Sequence, residues 1–233
     1  MKNTPRTEDL VVVFGPRTAL AEHLLAMYRP ANHRIMLVAR DRQEARLLAS
    51  RYRHAEVLTG SEAELQERWP RTVRAATVIL CAFGLIHPAA PDWASHAQML
   101  SRDLETIAAV LEKCRPCPVT VLFVSTALAA APTRGRTYYV GWKYLSETLL
   151  EEALARHKSV RFCVLLPGRL VARKTLMRPL SLLHTSYAAL ARVIFTTARA
   201  PKTQRRVVGW DARALMMIRG VRLLIDGVLG CST

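Results

Sequence analysis

Acidic residues are scarce in the last third of this 233-residue chain: residues 153–233 hold 2 Asp/Glu against 15 Lys/Arg, a balance of +13. Residues 1–152 hold 16 against 19, or +3. So lopsided a charge favours an anionic neighbour: a phosphorylated substrate, an anionic lipid surface or a nucleic acid. No helix-turn-helix, zinc-finger or RNA-recognition signature accompanies it, so nucleic acid is not expected. The chain also lacks any uninterrupted run of 18 apolar residues. Its longest apolar stretch, Ala75–Ile86, is broken by Thr77 and Gly84, which excludes a simple spanning helix. The opening MKNTPRTEDL has no apolar signal core, and a cytoplasmic location is the expectation. The five cysteines form no disulfide framework at this length. Cys114 and Cys117 have redox or metal spacing, but no second cysteine pair or His at ligand spacing supports them, and they read as two incidental thiols in a loop. Internal repeats, low-complexity tracts and linkers are absent too, so residues 1–233 read as one domain.

What is present is a regular alternation of short apolar strands and helix-length segments, the pattern of a parallel sheet covered on both faces. Strands are expected at Leu10–Phe14, Arg34–Ala39, Ala55–Leu58, Ala76–Ala82, Val119–Val124 and Val160–Leu166, with an edge strand at Arg206–Trp210. Pro167-Gly168 stops the sixth. Helices are expected at Ala19–Tyr28, from the Asp41 cap to about Tyr52, at Ser61–Arg68 behind a Ser61/Glu64 capping box, at Trp93–Lys113, Gly141–Arg156, Ser186–Arg199 and Ala212–Leu229. Arg169–His184 is too long for a plain connection and reads as a lid over a site. In the last helix Arg219, Arg222 and Asp226 share one face, while Leu215, Met216, Ile218, Leu223, Ile225 and Leu229 cover much of the rest. Residues 211–233 thus form a basic amphipathic helix that either packs on protein or lies on an anionic membrane surface.

Three features carry chemistry. The first is the turn after strand one, where Gly15 suits a tight turn and Ala19 and Ala21 stand where further glycines are usual in phosphate-binding loops. Gly15, Arg17, Thr18, Ala19 and Leu20 are the candidate cofactor contacts there. The second is Arg40 after strand two, with Arg42 nearby, at the point where this fold meets an adenosine ribose. An acid there favours a free 2′-hydroxyl and an Arg a 2′-phosphate, so NADP(H) is preferred to NAD(H). The third is Tyr139 and Lys143, four apart on one helix face, thirteen residues past the strand-end hydroxyls Ser125 and Thr126. The Lys cation can lower the phenol's pKa and hold a ribose, the phenol can exchange a proton with substrate, and one hydroxyl can donate to a carbonyl oxygen. Tyr138 is excluded as the phenol because its fourth-next residue is Trp142.

Across roughly Leu10–Trp210 these motifs resemble the short-chain dehydrogenase/reductase family: Gly15, Ala19 and Ala21; Ala82-Phe83-Gly84 after strand four; Ser125-Thr126; Tyr139 with Lys143; and Pro167-Gly168. The resemblance implies a Rossmann-type α/β fold, a doubly wound parallel sheet of about seven strands, and a homodimer or homotetramer built through the long helices after strands four and five. It adds Ala82, Phe83, Gly84, Pro167 and Gly168 to the cofactor contacts and puts the family's catalytic serine on Thr126. It implies NADP(H)-dependent interconversion of a carbonyl and a secondary alcohol on a small-molecule or lipid-linked substrate. The chain departs from the pattern at Cys81-Ala82-Phe83-Gly84, where Asn-Asn-Ala-Gly is usual, at Ala172, where a Thr often follows, and in its asparagines, which number only Asn3 and Asn32. Those departures keep open a non-catalytic protein that retains the fold. Ala-Phe-Gly and the basic apolar tail also resemble the branch that reduces a 2-keto sugar on a polyprenyl phosphate.

Overall fold

The computed structural model describes residues 8–28, 32–59, 61–70, 73–83, 93–127, 137–172, 183–200 and 202–229; within them the side chains of residues 62, 137 and 222–229 are not described. Seven strands make one parallel sheet: β1 (Glu8–Phe14), β2 (His33–Val38), β3 (Glu56–Leu58), β4 (Val73–Leu80), β5 (Val119–Val124), β6 (Val160–Pro167) and β9 (Gln204–Val208). Their order is β3-β2-β1-β4-β5-β6-β9, and every neighbouring pair is parallel. Two further short strands, β7 (Leu170–Val171) and β8 (Thr185–Ser186), pair with each other beside it. Within the span read as a lid, Arg169–Ala172 and Leu183–His184 are described, and residues 173–182 lie outside the described residues.

The apolar runs are continuous because both faces of each central strand are buried. Successive side chains alternate between faces. In β1, Leu10, Val12 and Phe14 join the layer under α3 (Glu62–Arg68), α4 (Trp93–Lys113) and α5 (Thr137–Ala155). Val11 and Val13 join the opposite layer, under α1 (Ala19–Leu25), α2 (Arg42–Arg51) and α6 (Tyr187–Ala198). The final helix, α7 (Trp210–Leu229), follows β9. Each fully buried Val, Leu or Ile contributes about 1.5–3 kcal/mol, which is what holds the helices to the sheet.

The expected elements are present, with shifted ends. Asp41 caps α2 by accepting from the Glu44 N–H at 2.7 Å. Ser61 caps α3, but the Glu64 carboxylate bonds the Thr59 backbone and hydroxyl at 2.5 and 2.7 Å instead of reaching back to Ser61. Helix α5 begins at Thr137, four residues before Gly141, because Tyr138 is anchored: its ring packs edge-on against Trp93 and its hydroxyl bonds His96 Nδ1. Strand β9 begins and ends two residues earlier than expected and stops at Gly209. The Cys114 thiol is buried, and that of Cys117 donates to the Val73 carbonyl at 2.6 Å.

The strand order reverses at β1 and β4, which leave for opposite edges of the sheet. The crevice beyond the carboxyl ends of such strands is where doubly wound sheets bind ligands.

Candidate active site

The β1–α1 turn is shaped by Gly15. Its φ is +67°, and a Cβ there would lie 2.6 Å from Ala82 Cβ and 2.7 Å from Ala82 N. The chain leaving β4 therefore passes across a position that only glycine can occupy. Thr18 then starts α1, its hydroxyl donating to the Gly15 carbonyl at 3.0 Å and accepting from the Ala21 N–H at 3.2 Å. Thr18, Ala19 and Leu20 open onto a cavity of about 1110 Å³ at the carboxyl end of the sheet. Cys81 follows β4 into the same cavity, as do Ser125 and Thr126 after β5, and Pro167 and Gly168 after β6. Tyr138, Tyr139 and Lys143 reach it from α5. A smaller cavity of about 70 Å³ lies beyond Gly15 and Ala82, bordered by Arg40, Thr59 and Arg102. The Arg40 N–H donates to the buried Glu44 carboxylate at 2.7 Å, which fixes the chain at the end of β2.

Lys143 is 6% exposed. Its ammonium donates to the Val124 carbonyl at 3.1 Å and lies 5.1 Å from the centroid of the Phe123 ring. Burial pushes its pKa down to about 8, while the Glu147 carboxylate, and Cys81 only when it is ionised, pull the other way. Cys81 is itself a neutral thiol, pushed up to about 12 by desolvation despite its hydrogen bond with Thr18. Ser125 donates to Glu147 Oε2 at 2.9 Å, in a wholly buried contact. Ser125 and Thr126 are both buried, and both border the cavity.

Most of the sequence-derived set converges: Thr18, Ala19, Leu20, Ser125, Thr126, Tyr139, Lys143, Pro167 and Gly168 surround one cavity, while Gly15, Arg40 and Ala82 surround the other. Arg17 is exposed and borders neither. Phe83 is fully buried edge-on against Phe123, 6.0 Å between centroids, so its ring serves the core. Gly84 lies outside the described residues. Tyr138, set aside on spacing alone, reaches the large cavity as well and stacks on Trp142.

Several residues of the site were not read from the sequence. Glu147 joins Ser125 to Arg205 of β9. Its place one turn after Lys143 was the available signal. Asp211 accepts from the Arg169 N–H at 2.7 Å and pairs with His184 Nδ1 at 3.0 Å, joining the start of α7 to the far wall of the cavity. A side chain at Gly168 would collide with that carboxylate. No local spacing signals these pairs.

No protein-family model matches the chain, and no curated protein matches it. Solved structures do. A short-chain dehydrogenase from Streptomyces avermitilis superposes with a TM-score of 0.66 at 16% identity, over 94% of this chain and 96% of that one. An alcohol dehydrogenase from the archaeon Thermococcus sibiricus, complexed with 5-hydroxy-NADP, gives 0.60 at 14% identity, over 87% and 97%. Serine dehydrogenase from Escherichia coli gives 0.61 at 12% identity, over 86% and 97%. The chain has the short-chain dehydrogenase/reductase fold, a Rossmann-type seven-stranded α/β sandwich.

Proposed function

We propose that this protein is an NADP(H)-dependent oxidoreductase that interconverts a carbonyl and a secondary alcohol. The observation that carries the proposal is the gathering of Tyr139, Lys143 and Thr126 around the cavity that the β1–α1 turn opens onto. The dinucleotide fits the residues present: Gly15 allows the tight turn that brings the start of α1 to the large cavity, and Ala19 narrows the approach there by a methyl without closing it. Thr18, Ala19 and Leu20 would hold the pyrophosphate, Arg40 the 2′-phosphate, Lys143 the nicotinamide ribose, and Pro167 and Gly168 the nicotinamide. When bound, the cofactor supplies or accepts the hydride. Tyr139 holds the proton that is exchanged with the substrate oxygen. The Lys143 cation favours the phenolate and so eases that exchange. Thr126 donates to the carbonyl oxygen as charge develops there.

The test is Tyr139→Phe, assayed on a carbonyl found by screening for NADPH oxidation. Turnover is expected to fall by ~10²–10⁴-fold or more, with NADPH binding and melting temperature retained. Near-normal turnover rules the mechanism out. A protein that merely binds the cofactor would titrate NADPH but would not oxidise it with any carbonyl screened.

Two finer features belong to the same proposal. On α7, Trp210, Met217, Ile218 and Val221 are exposed beside Arg213 and Arg219. That face suits the anionic surface of a membrane, where a sugar or lipid-linked substrate would be met. On α4 and α5, Trp93, Tyr144 and Leu145 are exposed, and they support a homodimer or homotetramer through those helices, which light scattering would reveal.

A further inference from the structure

We propose that Glu147 is a positioning residue of this site: it accepts the Ser125 hydrogen bond and supplies the negative charge that keeps Lys143 a cation, an assignment that presupposes the ribose role given to Lys143 above. Glu147 is 4% exposed, on α5 one turn beyond Lys143. A carboxylate so placed is costly unless it is paired and hydrogen-bonded. Glu147 has both kinds of partner. Oε2 accepts from Ser125 Oγ at 2.9 Å, and Oε1 pairs with the guanidinium of Arg205, whose side chain is 57% exposed on β9.

Two consequences follow. A hydroxyl has one proton to give. That of Ser125 goes to Glu147, so Ser125 cannot also donate to a carbonyl oxygen. The second consequence concerns charge. The titratable groups around Lys143 are Cys81 at the end of β4, Tyr139 and Glu147 on its own helix, and Arg205 of β9 acting through Glu147. From β5 it meets the Val124 carbonyl and the Phe123 ring, neither of which titrates. Cys81 is a neutral thiol, so Glu147 is the anion among them. Burial works against the lysine's proton, and the Glu147 carboxylate pulls the other way. Arg205 tempers that hold, being a second cation on the same carboxylate.

The experiment measures NADPH dissociation constants by fluorescence from pH 6 to pH 10 with the full-length protein. In the wild type, affinity is expected to fall as pH rises through about 8, where Lys143 loses its proton. Lys143→Met should bind more weakly at pH 7 and lose the break. Glu147→Gln should move the break down by about one pH unit, the size expected of one nearby charge at a partly buried site. Glu147→Asp should restore part of it. Arg205→Gln should move the break up, because the remaining carboxylate then acts on Lys143 alone. Opposite shifts from the two ends of one ion pair are not what a merely structural bridge produces, since breaking it from either end would then act alike. A folded Glu147→Gln protein with an unmoved break overturns the inference, and so does Arg205→Gln shifting downward or not at all. If Glu147→Gln does not fold, the exposed Arg205 variant decides by itself. A break that survives Lys143→Met overturns the ribose role instead, and a wild type that binds no NADPH overturns the proposed function as a whole.

Discussion

Lys143 bears its charge where the surroundings disfavour one. Its ordinary value of 10.5 is lowered to about 8 by burial, so the folded chain binds this proton less tightly than the unfolded chain does. The sign of the stability effect follows. Below about pH 8 both states carry the proton, and folding bears the full cost of burying it. Between about 8 and 10.5 the folded state has released the proton while the unfolded state still holds it, so stability rises with pH through that window. Lys143→Met is therefore expected to stabilise the cofactor-free protein at pH 7 by about 1–3 kcal/mol, with the advantage fading by pH 10. The same variant should bind NADPH more weakly. Paired melting curves at pH 7 and pH 10 decide it, and an equal melting difference at both pH values would count against a buried lysine charge. Such a trade of stability for binding is common where a site needs a charge that the fold does not.

Arg40 gives a second test at the scale of one residue. It stands with Ala39 at the carboxyl end of β2, beside the smaller cavity. NADPH is expected to bind more tightly than NADH. Arg40→Asp should weaken NADPH by roughly 1–3 kcal/mol, the worth of a charge-assisted contact, while sparing NADH. Titrating both cofactors against both proteins checks it, and a wild type that prefers NADH would be fatal to the 2′-phosphate assignment.

Among the elements, the β1–α1 turn is the one whose geometry a single methyl would break. Gly15→Ala would add a Cβ at a φ of +67° and within 2.7 Å of the Ala82 nitrogen. The left-handed conformation alone costs about 1–3 kcal/mol, and the collision with backbone adds to it. A lower melting temperature and a loss of NADPH affinity are expected together; an unchanged melting temperature would contradict this turn geometry. This glycine was legible in the sequence because a strand ends just before it and a capped helix begins soon after. The central strands were legible for a related reason: burial on both faces makes them apolar, whereas the edge strand β9 opens on Gln204, Arg205 and Arg206 and was placed two residues late. The start of α5 was not. Tyr138 and Tyr139 are aromatic residues of modest helix propensity, and what holds Tyr138 in the first turn is contact with Trp93 and His96 on α4. The β7–β8 pair, two residues each, is too short to show a period. Glu147–Arg205 and His184–Asp211 are pairs between distant segments, invisible until the fold brings the segments together. The Tyr139/Lys143 spacing was readable because both lie on one helix, where local geometry fixes neighbours.

At the scale of the whole molecule, α7 carries an exposed apolar stretch among the described residues. The helix is seated through Ala212, which is fully buried, and through Leu215, which borders the large cavity. Beyond them Met217, Ile218 and Val221 are 71%, 66% and 55% exposed. Among the described residues no helix is long and apolar enough to cross a membrane. Under the membrane proposal above, the +13 balance of residues 153–233 would supply the attraction, at about 1 kcal/mol for each basic side chain close to anionic lipid. The protein is expected to sediment with vesicles containing phosphatidylglycerol, less so as salt rises, and to ignore vesicles of phosphatidylcholine alone. Met217→Glu, Ile218→Glu and Val221→Glu combined should abolish that sedimentation while leaving NADPH binding and the melting temperature as they are, since none of the three side chains is packed in the core. If the wild type ignores anionic vesicles even at low salt, the membrane assignment fails. The apolar face of α7 would then call for protein, and light scattering on the same triple variant would show whether a second copy of the chain had been covering it.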